Sequence, residues 1–340
     1  MDSRRNALTK IEVESIQGQA VHAGLWLDRY IKSQQRKDDP SRHTLVTEVA
    51  NLSIPPAYIA FYQIWEQMLK AYGAETRRAT VKGRISVGLG SESVLETSIA
   101  LHRTYGVPYI PGSALKGLAA SYAKQRLGDE WQSKGDLYKT IFGQTDDAGY
   151  IVFFDALYIP DPNPQKRPLH PDVITVHHPK YYQGTGDVAP TDRDDPTPIP
   201  FLSATGIYLV ALAAPDIEDK QQKKGWLSAA FTILEKALKD AGIGAKTSSG
   251  YGRMILEAPP IDPDLSKAEA YKREIERMQV KDVPSQLPSY SQKWANLKSD
   301  EAKQIVAQAV IDKVHASGRD KASAEKPWYK AMRDFLSEQS

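Results

Sequence analysis

Cysteine is absent from all 340 residues, which removes disulfide frameworks, thiolate metal sites, iron–sulfur clusters and cysteine nucleophiles together. Long apolar runs are absent too. None approaches membrane-spanning length, and the opening Met1-Asp2-Ser3-Arg4-Arg5 carries no apolar signal core. A soluble, cytoplasmic protein with no membrane partner is expected. Net charge is nearly absent: 44 Lys+Arg against 42 Asp+Glu leave +2, which excludes a uniformly basic coat but not a local patch. What is present is a globular composition, 41% hydrophobic and 25% charged, over a length that suits one large domain or two ordinary ones.

Charge and proline are unevenly spread. Residues 77–126 hold eight Lys/Arg (77, 78, 82, 84, 103, 116, 124, 126) against two acids (92, 96), a local balance of +6. Residues 160–200 hold ten of the 22 prolines, a density that argues against regular structure and marks a long insertion. Between these markers, Arg84–Leu89 alternates as a short strand, and Ser113–Leu127 has helical spacing with Ser113 as N-cap and Gly128 as stop. Tyr150–Ile159 and Gly206–Ala213 read as strands, Trp226–Asp240 as an amphipathic helix stopped by Gly242, and Tyr251–Ala258 as a last strand. The order β-α-β-β-α-β predicts an α+β, ferredoxin-like core. Its expected frame is a helical N-terminal region over 1–76, the core over 77–260 with an insertion at 160–204, and a helical extension over 261–340. In that extension, helices are expected near 264–279, 298–316 and 327–337.

Four constellations bear on chemistry. Pro111-Gly112-Ser113-Ala114-Leu115-Lys116-Gly117 begins a helix, where free amides and a positive dipole end attract phosphate. The same residues also suit a plain helix start. Gly242–Arg253 holds four glycines, Lys246, Arg253 and the hydroxyls of Thr247, Ser248 and Ser249, with no acid. Glycine lets backbone amides approach a phosphate closely, and cations complete an anion nest. The alternative is an ordinary helix-to-strand loop. A Walker loop would need glycine where Asp240 and Ala245 stand, so an ATPase is excluded on spacing. Gly88-Leu89-Gly90 lacks the third glycine and the helix of a dinucleotide fingerprint. His177-His178 lies inside the proline-rich insertion, and adjacent residues of an extended chain face opposite ways, which disfavours a shared metal. No Ser-His-Asp order or His-Glu-x-x-His motif is present, and no cofactor or metal is expected.

Several stretches together resemble the RAMP proteins of CRISPR systems, and more narrowly the sixth-subunit family of type III-B (Cmr) effector complexes. They are Gly88–Glu96, Tyr109–Gly117, Phe142-Gly143, Gly149–Ala156 and Gly242–Arg253, with Asp172–Tyr182 and Pro196–Leu202 favouring the narrower family. The resemblance covers about 84–258 well and 1–83 loosely. It implies a non-catalytic subunit that binds guide RNA, caps one end of a backbone of related subunits, and sets its insertion as a thumb against the guide–target duplex. Implied partners are guide RNA, target RNA and the backbone, end-capping and small subunits of the complex. Arg84, Gly112, Ser113, Lys116, His178, Lys180, Gly244, Lys246, Thr247, Ser248, Ser249, Tyr251 and Arg253 form the expected RNA-binding set. From the residues alone, two other readings stand beside this one. One is a metal-independent endoribonuclease with His177 or His178 as general base and Lys116 or Lys246 steadying the phosphate. The other is a protein scaffold without RNA contact.

Overall fold

In a computed structural model of the chain, residues 21–33, 40–163, 166–176, 189, 191, 197–259 and 263–338 are described. They fall into two compact units, 1–258 and 259–340.

Among the described residues the first unit has ten strands: β1 Glu75–Val81, β2 Tyr109–Ile110, β3 Gly143–Gln144, β4 Asp147–Ala148, β5 Val152–Phe153, β6 Ala156–Tyr158, β7 Leu169–Val176, β8 Thr197–Ala204, β9 Ile207–Ala213 and β10 Met254–Leu256. The main sheet runs β10-β1-β9-β6-β2, with β5 also on β9. Counting β5 and β6 as one interrupted strand, its first four positions are the fourth, first, third and second strands of a ferredoxin-like β-α-β-β-α-β arrangement, all antiparallel to their neighbours.

β9 is the hydrophobic centre. Tyr208 to Ala213 are all buried, as expected for a strand covered on both faces. The helix Lys220–Asp240 covers one face with Leu227, Ala230, Phe231, Leu234, Ala237 and Leu238, an i, i+3, i+4 stripe. Asp219 caps it by accepting from the Gln222 amide at 2.6 Å. Gly242 ends it at φ +80, its amide donating back to the Ala237 carbonyl at 2.9 Å. The helix Gly112–Arg126 packs beside it.

Four expectations are corrected. Arg84–Leu89 is not the first strand; Glu75–Val81 is. Its sequence hides the fact, because Arg77 is buried, with its guanidinium 4.0 Å over the Phe231 ring, so a cation stands where alternation calls for an apolar residue. Tyr150–Ile159 is not one strand but β5 and β6, parted at Phe154-Asp155. Ser113 makes no cap; the first helical amide, Gly112, donates instead to Asp155 Oδ1 at 2.7 Å. The break in the strand is what delivers that carboxylate to the helix end.

The fourth correction concerns the insertion, which does contain regular structure. β7 and β8 pair antiparallel over eight positions, from Leu169↔Ala204 to Val176↔Thr197. Pro171, Pro198 and Pro200 all belong to pairs of one parity (171↔202, 173↔200, 175↔198), where backbone N–H groups point away from the partner strand. A missing N–H therefore costs the ladder nothing. Nor is the hairpin a bare projection: Leu169, Phe201, Leu202 and Ala204 are buried, and the helix Ser41–Ala50 packs on both strands.

The second unit is helical: Pro263–Arg277, Tyr290–Ala295, Asp300–Ala316 and Pro327–Glu338 are its longer helices. They enclose a separate core that includes Ile275, Leu287, Val306, Val310, Val314 and Met332.

Candidate nucleic-acid interface

The antiparallel order sends three connections to one edge of the sheet. β1 ends there, since Val81 pairs with Met254 at the start of β10 and Thr80 with Ile207 at the start of β9. The insertion hairpin joins the end of β6 to that same start of β9, where Tyr158 pairs with Tyr208. The glycine-rich loop enters β10 there.

Backbone hydrogen bonds then weld these connections together. After β1 the chain turns at Gly83 (φ +79) and runs through Arg84–Val87. On one side Ile85 bridges to Ala204 at the base of the hairpin, with both N···O distances 2.8 Å. On the other side the loop seats itself: the Gly252 amide donates to the Arg84 carbonyl at 2.9 Å, and the Ala245 amide to the Ser86 carbonyl at 2.7 Å. Gly244 is at φ +87, and a β-carbon there would lie 2.4 Å from the Ser86 oxygen, so only glycine allows this approach.

The loop apex is a short 3-10 turn over Thr247–Ser249, entered through Lys246 in the left-handed region (φ 59). The amides of Gly250 and Tyr251 are taken within the turn, by Thr247 and Lys246 carbonyls. Among the described residues no hydrogen bond takes the amides of Lys246, Thr247 or Ser248, and Ser248 and Ser249 are exposed. Nor does any carboxylate ion-pair with Arg84, Lys116, Lys246 or Arg253 among the described residues. The Arg253 Nη1 is buried without a hydrogen-bond partner among the described residues, which spends part of that cation on the protein interior.

A polar network joins the loop to the hairpin. Asp172 Oδ2 on β7 accepts from the Tyr251 hydroxyl at 2.6 Å and from Ser203 Oγ at 3.2 Å, while Asp172 Oδ1 accepts from the Val173 amide at 3.0 Å. Arg84 Nη1 donates to Ser203 Oγ at 3.3 Å. Ser203 is fully buried. Burial, then the hydrogen bond to Asp172, pushes the Tyr251 phenol up to about 12, so it stays a donor. His170, hydrogen-bonded to Thr205 at 3.0 Å, is held below the ordinary histidine range by burial and by the Arg84 charge.

The expected RNA-binding set is therefore divided. Arg84, Gly244, Lys246, Thr247, Ser248, Ser249, Tyr251 and Arg253 come together at the edge just described. Gly112, Ser113 and Lys116 do not join them by any hydrogen bond, ion pair or ring contact among the described residues. Gly112 lies against Phe153, which pairs with Leu212 near the opposite end of β9. A β-carbon on Gly112 would meet the Phe153 oxygen at 2.2 Å, so this glycine is demanded by packing, and its amide is already committed to Asp155. Ser113 is exposed and Lys116 half-buried. His177, His178 and Lys180 lie outside the described residues. Asp172, Ser203 and His170 were not in the expected set. Only the β7–β8 register brings them beside Tyr251, and the prolines obscured that register. No group of three or more acids and histidines among the described residues is placed to hold a metal ion.

Comparison with known proteins agrees with the sequence reading. The family model of the RAMP superfamily matches residues 78–255. The chain is 33% identical over 253 aligned positions to "CRISPR system Cmr subunit Cmr6" of Pyrococcus furiosus, covering 58% of this chain and 72% of that protein. It is 31% identical over 172 positions to the Cmr6 subunit of Saccharolobus solfataricus, covering 51% of this chain and 52% of that one. A crystal structure of Cmr6 from Pyrococcus furiosus is 33% identical and covers 54% of this chain and 98% of its own, at a TM-score of 0.35.

Proposed function

Because this chain belongs to the RAMP superfamily and, within it, to the Cmr6 family of type III-B CRISPR subunits, we propose that it binds guide RNA through the glycine-rich loop Gly242–Arg253. In this reading it is a structural, non-catalytic subunit that caps one end of the RAMP backbone, with the β7–β8 hairpin turned to the guide–target duplex. Guide RNA, target RNA and neighbouring RAMP subunits are its partners.

The observation that carries the reading is the state of the loop. It is pinned by its own backbone to Arg84 and Ser86, yet the amides of Lys246, Thr247 and Ser248 have no partner among the described residues. Lys246 enters that apex turn without a counter-ion among the described residues, and the loop holds no acid. Backbone amides and a cation recognise phosphate, not base edges, so affinity comes without sequence reading. A subunit that must accept any guide sequence needs that kind of contact. Among the described residues no helix is long and apolar enough to cross a membrane, which agrees with a role in a ribonucleoprotein.

The test is a titration with labelled guide RNA at several salt concentrations. Replacing Lys246 and Arg253 with alanine should weaken binding similarly for all guide sequences. It should also flatten the salt dependence by about 0.7–1 unit of slope per lost phosphate contact. Unchanged affinity and slope would refute the loop as the contact, and cleavage of the RNA by the isolated protein would refute the non-catalytic role.

A further inference from the structure

We propose that Asp172 is a positioning residue: from the insertion hairpin it holds the glycine-rich loop in the shape that presents Lys246 and the apex amides to guide phosphate. This rests on the reading of the loop as the guide contact and adds to it a residue from a different segment.

Asp172 stands in a place where an acid works against RNA binding. Arg84 lies at the junction, bonded to the same Ser203 as Asp172, and a carboxylate at a surface meant for phosphate repels it. Both of its oxygens also accept hydrogen bonds from the protein, three of the roughly four the carboxylate can take. Oδ2 accepts from Tyr251 and Ser203, and Oδ1 from the Val173 amide. What the carboxylate does is join three segments: the loop through Tyr251, the hairpin through Ser203, and the exit of β1 through the Arg84–Ser203 bond.

The loop needs such an anchor. Beyond its root at Gly242 and Ile243, the backbone hydrogen bonds that tie it to other segments among the described residues run to 82–86, on the β1 side: Gly252 to Arg84, Ala245 to Ser86, and Lys82 to Arg253. Tyr251 is the residue just past the apex turn, and its amide donates to the Lys246 carbonyl at 3.3 Å. Fixing the Tyr251 ring against Asp172 and Phe201 therefore fixes the far side of the turn that carries Lys246. Loop and hairpin then meet RNA as one preorganised surface, and the ordering entropy is spent on folding, not on binding.

The experiment compares D172A, D172N, Y251F and the double variant D172A/Y251F in guide-RNA titrations at several salt concentrations. Hydrogen exchange of the Ala245, Tyr251 and Gly252 amides is followed in parallel. Charge alone and positioning predict opposite signs. If Asp172 mattered only as a negative charge, D172A and D172N would both bind RNA more tightly. Positioning predicts that D172A and Y251F each bind about five- to tenfold more weakly, with the salt slope unchanged because no phosphate contact is lost. The double variant should be no worse than D172A. D172N, which keeps an acceptor for the phenol, should stay within about twofold of wild type. Exchange at the loop amides should quicken in D172A and Y251F. Equal or tighter binding by D172A with unaltered exchange overturns the proposal. So does a like effect of D172A and D172N. Should D172A fail to fold, Y251F carries the same expectations. Failure of the underlying loop reading shows separately, as a salt slope indifferent to loss of Lys246 and Arg253 while the exchange data still report the anchor.

Discussion

Gly244 shows how a single residue sets what the interface can be. Its φ of +87 suits glycine, and the approach of its Cα to the Ser86 carbonyl leaves no room for a β-carbon. Strain and clash act together, so G244A should destabilise the first unit by roughly 1–3 kcal/mol, read as a lower urea midpoint at constant slope. Guide-RNA affinity should fall with it, because Ala245 can no longer seat its amide on Ser86. Stability within about 0.5 kcal/mol of wild type would mean that the loop tolerates another path. Gly250 has a similar φ of +90 with open space around it, so alanine there meets strain without a clash.

His170 adds a pH dependence at the same scale. Its folded pKa lies below the ordinary histidine value, first through burial and then through Arg84, with the Arg167 backbone bond and Asp172 opposing. A depressed pKa means that the unfolded chain takes up a proton before the folded one does. The contribution to stability is therefore present above the ordinary histidine pKa, about 6.5, and declines as pH falls below it. His102, lowered by burial, acts in the same direction. H170Q should make the urea midpoint less sensitive to acidification between pH 7.5 and 5.5. An unchanged pH response would show that His170 is not a source of it.

Among the elements, the helix Gly112–Arg126 and the broken strand β5–β6 are one device. The strand parts at Asp155, and the freed carboxylate accepts the helix's first amide. D155A should therefore cost about 0.5–2 kcal/mol, the usual worth of a helix cap, while S113A should change thermal stability little. The reverse ranking would show that Ser113 caps the helix in solution. The hairpin is a second device of this kind. Its prolines are tolerated because a two-stranded ribbon leaves every other N–H unused, and its base contributes Leu169, Leu202 and Ala204 to the core. Excising the insertion as though it were a surface loop would remove both strands on which the helix Ser41–Ala50 packs.

For the whole molecule, the division after Ala258 is the feature with experimental consequences. Each unit has a separate hydrophobic core, one centred on β9 and one on the helix Asp300–Ala316. A chain ending at Ala258 should unfold cooperatively and retain guide RNA with the salt slope of the full protein, since the loop and its anchors all lie before that point. Loss of cooperative unfolding in that fragment would make the second unit part of the first one's stability.

Periodicity and local chemistry were enough to read most of the regular elements. The helix over Lys220–Asp240, the strands around β9 and β10, and the helices of the second unit are written in short-range patterns that survive without tertiary context. The glycine-rich loop was legible for the same reason, because four glycines, two cations and no acid are a property of consecutive residues. β1 was not legible, since a buried arginine over Phe231 looks polar until its partner is known. The hairpin was not legible either. Its pairing depends on register between residues up to 35 apart in sequence, Leu169 and Ala204, and proline conceals it. Asp172 is the extreme case: 79 residues separate it from Tyr251, and only the antiparallel order of the sheet brings the insertion and the loop to the same edge. Short-range pattern chooses which segments are helix, strand or loop. Which loops meet, and which side chain holds another in place, follows from strand order and register, and these are settled by packing over the whole unit.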